Sequence, residues 1–174
     1  KAKVKERAKA KVKEKAKEGR IDIDGAMWLE SDTNLPSGES LVRQFLYGIR
    51  FSRDEFGIEP EVLWLPDSFG FSAALPQIMA GCGIGNFATV KLLNTYSGGE
   101  PFPWVHFDWV GLDGSKVAAA VFRKSNSDID PATLIRRWEH DRLQKNGVKS
   151  YLFPFGYGDG GGGPTRTHLE FVAR

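Results

Sequence analysis

The sequence predicts an α/β fold in which a largely parallel sheet is flanked by helices. The alternation of two kinds of segment supports this prediction. Short apolar segments bounded by proline, glycine or polar turns alternate with longer segments in which apolar residues recur at helical spacing. Such alternation usually forms parallel sheets, because each helix connects one strand to the next. The length of 174 residues and the 41% of hydrophobic residues fit one domain with one sizeable core.

The predicted helices begin and end at residues that favour helix termini. The clearest covers residues 39–56, where apolar side chains share one face, Ser37 can cap the start and Gly57 can end the helix. A second helix is predicted over residues 130–146, with Asp130 as its N-cap. The other predicted helices cover residues 1–18 and 72–80, and a last one begins at Thr165.

The predicted strands are short. The most apolar covers residues 61–65, between Pro60 and Pro66. Residues 105–110 and 117–122 are predicted to pair as strands across the turn LDGS. The other predicted strands are residues 21–24, which 26–30 would continue or pair with, 86–90 and 150–155.

The positive charge lies in one segment. The first twenty residues hold ten Lys or Arg and three Glu, whereas the rest of the chain is mildly acidic and the total is +2. A basic helix could bind nucleic acid or an anionic membrane. This one has no aromatic residue and no large apolar face, so it is predicted to be a solvated surface helix. We therefore expect no nucleic-acid partner and no membrane association.

The cysteine content and the hydropathy pattern indicate a cytoplasmic protein. The single cysteine, Cys82, cannot form an internal disulfide, which fits a reducing compartment. No apolar run approaches the ~18 residues that a membrane span requires.

Two aspartates lie just past the ends of predicted strands. Asp67 follows residues 61–65 in EVLWLPDSFG, and Asp159 follows residues 150–155 in FPFGYGDGGGG. If both strands are parallel, both carboxylates lie at the same end of the sheet, where chemistry gathers in such folds. Two carboxyl groups that flank a bond are the equipment of glycoside hydrolysis. Either aspartate could instead cap a helix or hold a turn.

Aromatic residues surround both aspartates and could contact the apolar face of a sugar ring. Trp64 lies inside a predicted strand and is expected in the core. Phe69 and Tyr157 lie beyond strand ends and are better placed for ligand contact. The other aromatic residues of these segments are Phe71 and Phe155.

The glycine-rich segment GYGDGGGGP contains the spacing G-x-G-x-x-G of dinucleotide sites. Four consecutive glycines followed by proline do not open a helix at once, which argues against that interpretation. The glycines could instead let the backbone pass close to a ligand, or form a flexible turn.

The histidines give a poor metal signal. His106 and Asp108 have the spacing H-x-D, but two ligands do not close a site. His140 and His168 lie in predicted helices and are expected to be exposed or internally hydrogen-bonded.

Three motifs together resemble glycoside hydrolase family 38, the α-mannosidases. In order, they are MWLESDTNLPSGESLVRQFLYG, VLWLPDSFGFSAALPQIM and FGYGDGGGGPTR. The likeness is greatest to the bacterial, archaeal and cytosolic branch and covers about residues 19–174, whereas residues 1–18 match only as a helix. It implies a seven-stranded β/α barrel-like catalytic domain, of which this chain is an incomplete internal fragment.

The resemblance also implies an activity and site residues. It implies a retaining exo-α-mannosidase that hydrolyses terminal α-mannosidic linkages in oligosaccharides or glycans. Asp67 matches the family's nucleophile, which is also a metal ligand, and Asp159 matches its general acid/base. Phe69 and Tyr157 are candidates for substrate contact. Asp32, in DTNLPSGE, either reaches the sugar or orients a neighbour, or holds the turn before residues 39–56.

The resemblance implies Zn²⁺ in the sugar site, but only Asp67 matches a family ligand. The family's H-x-D motif at the first strand and a histidine well after the glycine loop have no counterpart here, and His106 and Asp108 lie between the wrong motifs. We therefore expect the chain alone to be inactive. A non-catalytic carbohydrate-binding or structural remnant and a nucleic-acid module led by the basic segment stay open as alternatives, as does homo-oligomerisation of the full-length enzyme.

Overall fold

The computed structural model describes residues 2–93, 102–123, 128–140, 147, 149–158 and 161–174. These residues form five α-helices and four strands. The helices are α1 (Ala2–Lys17), α2 (Gly38–Phe56), α3 (Leu75–Gly81), α4 (Pro131–His140) and α5 (Arg166–Ala173). The strands are β1 (Val62–Trp64), β2 (Asn86–Thr89), β3 (His106–Val110) and β4 (Lys116–Val121). Within this part of the chain, no helix is both long and apolar enough to cross a membrane.

The four strands form one mixed sheet in the order β1-β2-β4-β3. β1, β2 and β4 are parallel, whereas β3 is antiparallel to β4. The predicted α/β fold, the largely parallel sheet and the β3–β4 hairpin are thereby confirmed. The three parallel strands end at the same side, which we call the carboxyl end of the sheet and define as residues 65–69, 90–91 and 122–123.

One face of the sheet forms the hydrophobic core. Side chains of alternate strand residues, such as Leu63 and Phe87, pack with Leu41 and Phe45 of α2 and with Met79 of α3, and all of them are almost fully buried. This pattern follows from the two-residue period of strands and the apolar face of α2. Each such side chain contributes roughly 1.5–3 kcal/mol by leaving water.

The other face of the sheet borders a cavity of about 500 Å³ whose lining includes Trp64, His106 and Leu152. Trp64 stacks on Phe122 with ring centroids 5.2 Å apart and is 39% exposed. The prediction that Trp64 belongs to the core is therefore wrong, although β1 forms as predicted. Alternation places Trp64 on the face opposite Leu63, and that face borders the cavity instead of α2 and α3.

Residues 21–24 and 26–30 do not form the predicted strands. The Val62 N–H donates to the carboxylate of Asp24 at 3.0 Å instead of to a backbone carbonyl. The Ala26 N–H donates to the Val62 carbonyl at 3.1 Å. The segment thus runs beside β1, but a side chain replaces part of the backbone ladder that a strand requires.

Residues 150–155 also lack the predicted strand. Two aromatic rings of this segment pack on α4, where the buried guanidinium of Arg137 lies 4.1 Å from the ring centroid of Phe153 and 5.9 Å from that of Tyr151. Pro154 has no N–H with which to form a ladder hydrogen bond. Residues 150–155 therefore contact α4 through their side chains and do not join the sheet through backbone hydrogen bonds.

The predicted helix caps are confirmed where the structure describes them. A first-turn amide of α2 donates to the Ser37 hydroxyl, and Gly57 ends α2 in the left-handed conformation with φ 70°. A first-turn amide of α4 donates to the Asp130 carboxylate at 3.0 Å. The predicted continuation of α4 through residues 141–146 lies outside the described residues.

Helix α2 lies so close to the segment before β1 that only glycine fits at one position. A Cβ atom on Gly48 would lie 2.3 Å from the carbonyl oxygen of Ala26 and 2.5 Å from the carbonyl carbon of Met27. Beside this contact, the Trp28 N–H donates to the Gln44 carbonyl at 2.9 Å. The contact holds this segment against α2.

Charged side chains attach α1 to the end of α2. Lys9 and Lys13 place their ammonium groups 2.6 and 2.9 Å from one carboxylate oxygen of Glu55. Hydrogen bonds from Lys9 and then Lys13 lower the pKa of Glu55 to about 2. The basic helix is otherwise largely exposed, as predicted.

Candidate active site

Asp67 lies at the carboxyl end of the sheet, just past β1, which ends at Trp64. The Leu65 N–H donates to the Ala88 carbonyl at 3.0 Å, and the Thr89 hydroxyl donates to the Leu65 carbonyl at 2.8 Å. Pro66 has no N–H to continue the ladder, so the chain leaves the sheet there. The side chain of Asp67 is 64% exposed, and its carboxylate is accessible at the surface.

Lys91 contacts the Asp67 carboxylate. Its Nζ lies 3.0 Å from Asp67 Oδ1 and 5.3 Å from the ring centroid of Phe69. The Lys91 side chain is only 19% exposed, so this ion pair is partly shielded from water. Sequence reasoning missed Lys91, yet a signal existed, because Lys91 follows β2 closely, just as Asp67 follows β1.

The loop that contains Glu30 and Thr33 fixes the backbone around Asp67. Glu30 Oε1 accepts the Asp67 N–H at 2.7 Å, and the Thr33 hydroxyl donates to the Gly70 carbonyl at 2.9 Å. The Ser68 hydroxyl donates to a backbone carbonyl of the same loop at 3.1 Å. Two motifs that are distant in sequence therefore form one hydrogen-bonded unit at the carboxyl end of the sheet.

Asp32 holds a turn in this loop. Its Oδ1 accepts the N–H groups of Leu35 and Asn34 at 2.8 and 2.7 Å. These hydrogen bonds, with that of Leu35 the stronger influence, lower the pKa of Asp32. The geometry favours the turn-holding interpretation, and contact between Asp32 and a sugar stays a prediction.

The described residues of the glycine-rich segment, 156–158 and 161–163, are joined by a bridge between Tyr157 and Gly163. Tyr157 and Gly163 exchange two backbone hydrogen bonds of 2.9 and 2.6 Å. Gly156 and Gly162 have φ angles of 117° and 130°, and a Cβ atom on either would come within 2.9 Å of neighbouring atoms. Asp159 lies outside the described residues, so its proximity to Asp67 stays a prediction.

Dinucleotide binding does not fit the geometry of this glycine loop. In dinucleotide sites the helix begins directly at the glycines. Here α5 begins only at Arg166, capped by Thr165.

Tyr157 is 56% exposed and its hydroxyl lies 3.5 Å from Asp128 Oδ1. Its ring packs against the buried imidazole of His168, with centroids 5.2 Å apart. His168 Nε2 lies 3.2 Å from the same oxygen of Asp128, and Nδ1 accepts the Thr165 N–H at 3.3 Å. His168 is thus internally hydrogen-bonded, one of the two states expected for it, and Asp128 was not predicted.

The described residues around Asp67 do not fit a zinc ion. Catalytic zinc usually takes three protein ligands, but the neighbours of Asp67 are Glu30, which accepts an amide, and Lys91, whose positive charge repels a cation. Within the described ranges there is no group of three or more His, Cys, Asp or Glu residues that could hold a metal ion. His106 and Asp108 share one face of β3, and no third ligand joins them in this part of the chain.

Comparison with known proteins identifies the family. Residues 2–174 match the family model described as the glycosyl hydrolases family 38 N-terminal domain. The chain is 44% identical over 152 residues to Alpha-mannosidase 2C1 of Homo sapiens and 38% identical over 152 residues to the alpha-mannosidase of Saccharomyces cerevisiae. Each comparison covers 86% of this chain but only 14% of the relative.

A solved structure supports the fold. The crystal structure of an alpha-mannosidase from Enterococcus faecalis V583 superposes with a TM-score of 0.62 at 23% sequence identity, covering 79% of this chain and 16% of that one. At this identity the likeness supports the fold alone, whereas the family model spans nearly the whole chain. The chain therefore belongs to glycoside hydrolase family 38.

Proposed function

We propose that this chain forms part of the catalytic domain of a retaining exo-α-mannosidase that hydrolyses terminal α-mannosidic linkages in oligosaccharides or glycans. The supporting observation is the exposed Asp67 carboxylate, held at the carboxyl end of a parallel sheet in a family 38 chain. The chain spans 14% of its curated relatives, so the activity belongs to the whole protein and not to this segment alone. The four strands would then be part of a seven-stranded barrel.

The proposed reaction has two displacement steps at the anomeric carbon. In the first, Asp67 forms a bond to that carbon while Asp159, as a carboxylic acid, gives its proton to the departing glycosidic oxygen. In the second, the Asp159 carboxylate takes a proton from water, which bonds to the carbon and releases Asp67. Retention requires the two carboxyl groups to lie roughly 5–5.5 Å apart.

Lys91 and Glu30 are proposed to orient the nucleophile. Lys91 binds Asp67 Oδ1 by a charge-assisted contact, so we assign the attack to Oδ2. Glu30 accepts the Asp67 N–H and holds the backbone. Such positioning brings the attacking oxygen close to the carbon before reaction, which lowers the entropic part of the barrier.

Exposed aromatic rings are proposed to bind the sugar. Phe69 is 74% exposed beside Lys91, and Tyr157 is 56% exposed at the base of the glycine loop. Ring faces can cover the apolar C–H face of a mannose unit while their edges stay in water. Asp32 is proposed to act on the sugar only through the loop that it holds.

The proposal extends to zinc and to a cytoplasmic location. Zinc is implied by the family resemblance, and residues other than those described would have to complete its site. Cys82, the single cysteine, supports a reducing compartment.

The test uses the product of the longest reading frame that contains this sequence. We expect it to hydrolyse 4-nitrophenyl α-mannoside with α-mannose as the first product, observed by NMR. Asp67→Asn should reduce kcat by at least about 10³-fold, whereas Asp113→Asn, in the β3–β4 turn, should leave it unchanged. β-Mannose as first product, or full activity of Asp67→Asn, would refute the mechanism. Mannose binding without turnover would favour the carbohydrate-binding remnant.

A further inference from the structure

Two segments, residues 30–33 and 67–70, lie side by side at the carboxyl end of the sheet. Three hydrogen bonds join them, and each involves a side chain of one partner and the backbone of the other: Glu30 with Asp67 at 2.7 Å, Ser31 with Ser68 at 3.1 Å, and Thr33 with Gly70 at 2.9 Å. The partners are 37 residues apart in all three pairs. A constant separation means that the two segments run parallel and in register, as neighbouring strands of a parallel sheet do.

Thr33 holds the end of this register that follows Phe69. Its side chain is almost fully buried, and its hydroxyl donates to the Gly70 carbonyl. Gly70 has a φ angle of 150°, and a Cβ atom on it would lie 2.5 Å from Asn34 Nδ2. A glycine has a wide conformational choice when nothing restrains it. The hydrogen bond from Thr33 therefore restrains the peptide that directly follows Phe69.

Lys91 relates the two ends of the segment to each other. Its Nζ lies 3.0 Å from Asp67 Oδ1 and 5.3 Å from the ring centroid of Phe69. The Phe69 ring is 74% exposed, so little of its surface is covered by packing that could fix its position. The backbone on either side of the ring must therefore supply much of that restraint.

We propose that Thr33 is a positioning residue for sugar binding, because its hydrogen bond to Gly70 sets the Phe69 ring at a fixed distance from the Asp67 carboxylate. This inference rests on the proposed function, in which Asp67 reacts with the sugar and Phe69 binds it. A ring face contacts the sugar in the ground state and in the transition state alike, so loss of its position raises KM. Glu30 holds the backbone of the reacting group, so its loss lowers kcat.

Four single substitutions separate the two ends of the register from a general loss of stability. Thr33→Val keeps the shape of the side chain and removes the hydroxyl, whereas Thr33→Ser keeps the hydroxyl. Glu30→Ala removes the acceptor at the other end. Ser52→Ala removes a different buried hydroxyl, in the last turns of α2, and is the matched control.

Kinetics are measured on the reading-frame product with 4-nitrophenyl α-mannoside. We expect Thr33→Val to raise KM about 5- to 20-fold and to leave kcat within about twofold. Thr33→Ser should largely restore KM, and Ser52→Ala should match the unsubstituted protein. Glu30→Ala should instead lower kcat by about 10-fold. An unchanged KM in Thr33→Val, or a loss that falls on kcat as in Glu30→Ala, would overturn the proposal.

A double substitution tests whether Thr33 acts through Phe69. Phe69→Ala alone should raise KM. Adding Thr33→Val to it should raise KM no further, because the ring that Thr33 positions is absent. A further increase as large as that of Thr33→Val alone would show that Thr33 acts by another route, which contradicts the proposal.

An NMR measurement on the 174-residue chain is independent of turnover. The ring current of Phe69 should shift the ¹H resonance of the Lys91 ε-methylene group, and Phe69→Ala gives the reference position without the ring. We expect Thr33→Val to move this resonance toward the reference, and Thr33→Ser and Ser52→Ala to leave it in place. An unmoved resonance in Thr33→Val would refute the positioning role even if the enzyme is active. A moved resonance with an inactive reading-frame product would refute the proposed function, and with it the role of Thr33 in sugar binding, while the contact itself stands.

Discussion

The position of Asp67 follows from the strand before it, and its orientation follows from the residues that contact it. The parallel neighbours β1 and β2 end side by side, which brings Lys91 to 3.0 Å from the carboxylate. Glu30 binds the amide of the same residue from another loop. At this scale the candidate site is a hydrogen-bonded set of residues from three places in the sequence.

Replacing Lys91 should impair the proposed reaction. Lys91→Met removes the charge that binds Asp67 Oδ1, so the nucleophile loses its orientation, and we expect kcat/KM of the reading-frame product to fall by about 10- to 100-fold. Lys91→Arg keeps a positively charged hydrogen-bond donor and should retain more activity than Lys91→Met. The measurement is 4-nitrophenyl α-mannoside hydrolysis, with circular dichroism to verify folding. Full activity of Lys91→Met would contradict the role.

Sequence reasoning placed Asp67 correctly but Trp64 incorrectly, and the reason is physical. The rule for parallel strands fixes the end at which a residue lies, which is why Asp67 could be predicted at the carboxyl end. Alternation shows that Trp64 and Leu63 lie on opposite faces, but not which face is covered by helices. Lys91 was missed because a lysine after a strand usually indicates only a solvated turn.

Elements with local signals were predicted well, and elements that depend on distant partners were not. The cap of α2 at Ser37 and the β3–β4 hairpin depend on neighbouring residues, and both formed. Residues 21–24 and 150–155 have strand-like composition, but side chains of Asp24 and Arg137 take part in their contacts. The local sequence of a segment does not show which distant side chains will contact it.

Gly48 should resist substitution even though alanine favours helices. Gly48→Ala would press a methyl group to 2.3 Å from the Ala26 carbonyl oxygen, and we expect a loss of about 1–3 kcal/mol in the free energy of unfolding. Gly81→Ala in α3 meets no atom within 4 Å and should not destabilise the chain. Urea unfolding of both variants measures the free energy of unfolding. Equal values for Gly48→Ala and Gly81→Ala would contradict the close contact at Gly48.

The attachment of α1 should depend on pH. The Glu55 pKa is lowered to about 2 in the folded chain by Lys9 and Lys13. A lowered pKa means that the contact stabilises the fold fully above the unfolded value near 4.5 and is lost as the pH falls through about 2.

Glu55→Gln is therefore expected to lower the melting temperature at pH 6 but not at pH 2. Asp54→Asn, whose partner Arg50 lies in the same helix, is the control and should change the melting temperature little at either pH. If the melting temperatures of Glu55→Gln and the unsubstituted chain still differ at pH 2, or do not differ at pH 6, Glu55 does not hold α1.

The described part of the molecule combines a mixed, mostly parallel sheet, covered by helices on one face, with a cavity on the other face. The fold class could be predicted from the alternation of strands and helices alone. The sequence could not predict which face of the sheet borders the cavity, because the exposure of a sheet face depends on how all segments of the domain pack. The same limit would apply to a metal site, whose ligands need not be neighbours in the sequence.

The 174-residue chain should be inactive and should not bind zinc tightly. The family resemblance implies a ligand role for Asp67 alone, and the positive charge of Lys91 beside it repels a cation. Isothermal titration should show no stoichiometric binding, and 4-nitrophenyl α-mannoside with added zinc should not turn over. Turnover that disappears in Asp67→Asn would show that other residues complete the site, with His106 and Asp108 the first to examine.

The strand order β1-β2-β4-β3 also has a kinetic consequence. β3 and β4 are joined by a short turn and can pair within microseconds, as hairpins do. β2 pairs with β4 although β3 lies between them in the sequence, and β1 pairs with β2 although α3 lies between them. Closure of these longer loops is therefore expected to be slower than hairpin formation. The β1–β2 partners Val62 and Asn86 are closer in sequence than the β2–β4 partners Asn86 and Ala118, so the pairing that brings Asp67 beside Lys91 does not have to wait for the hairpin.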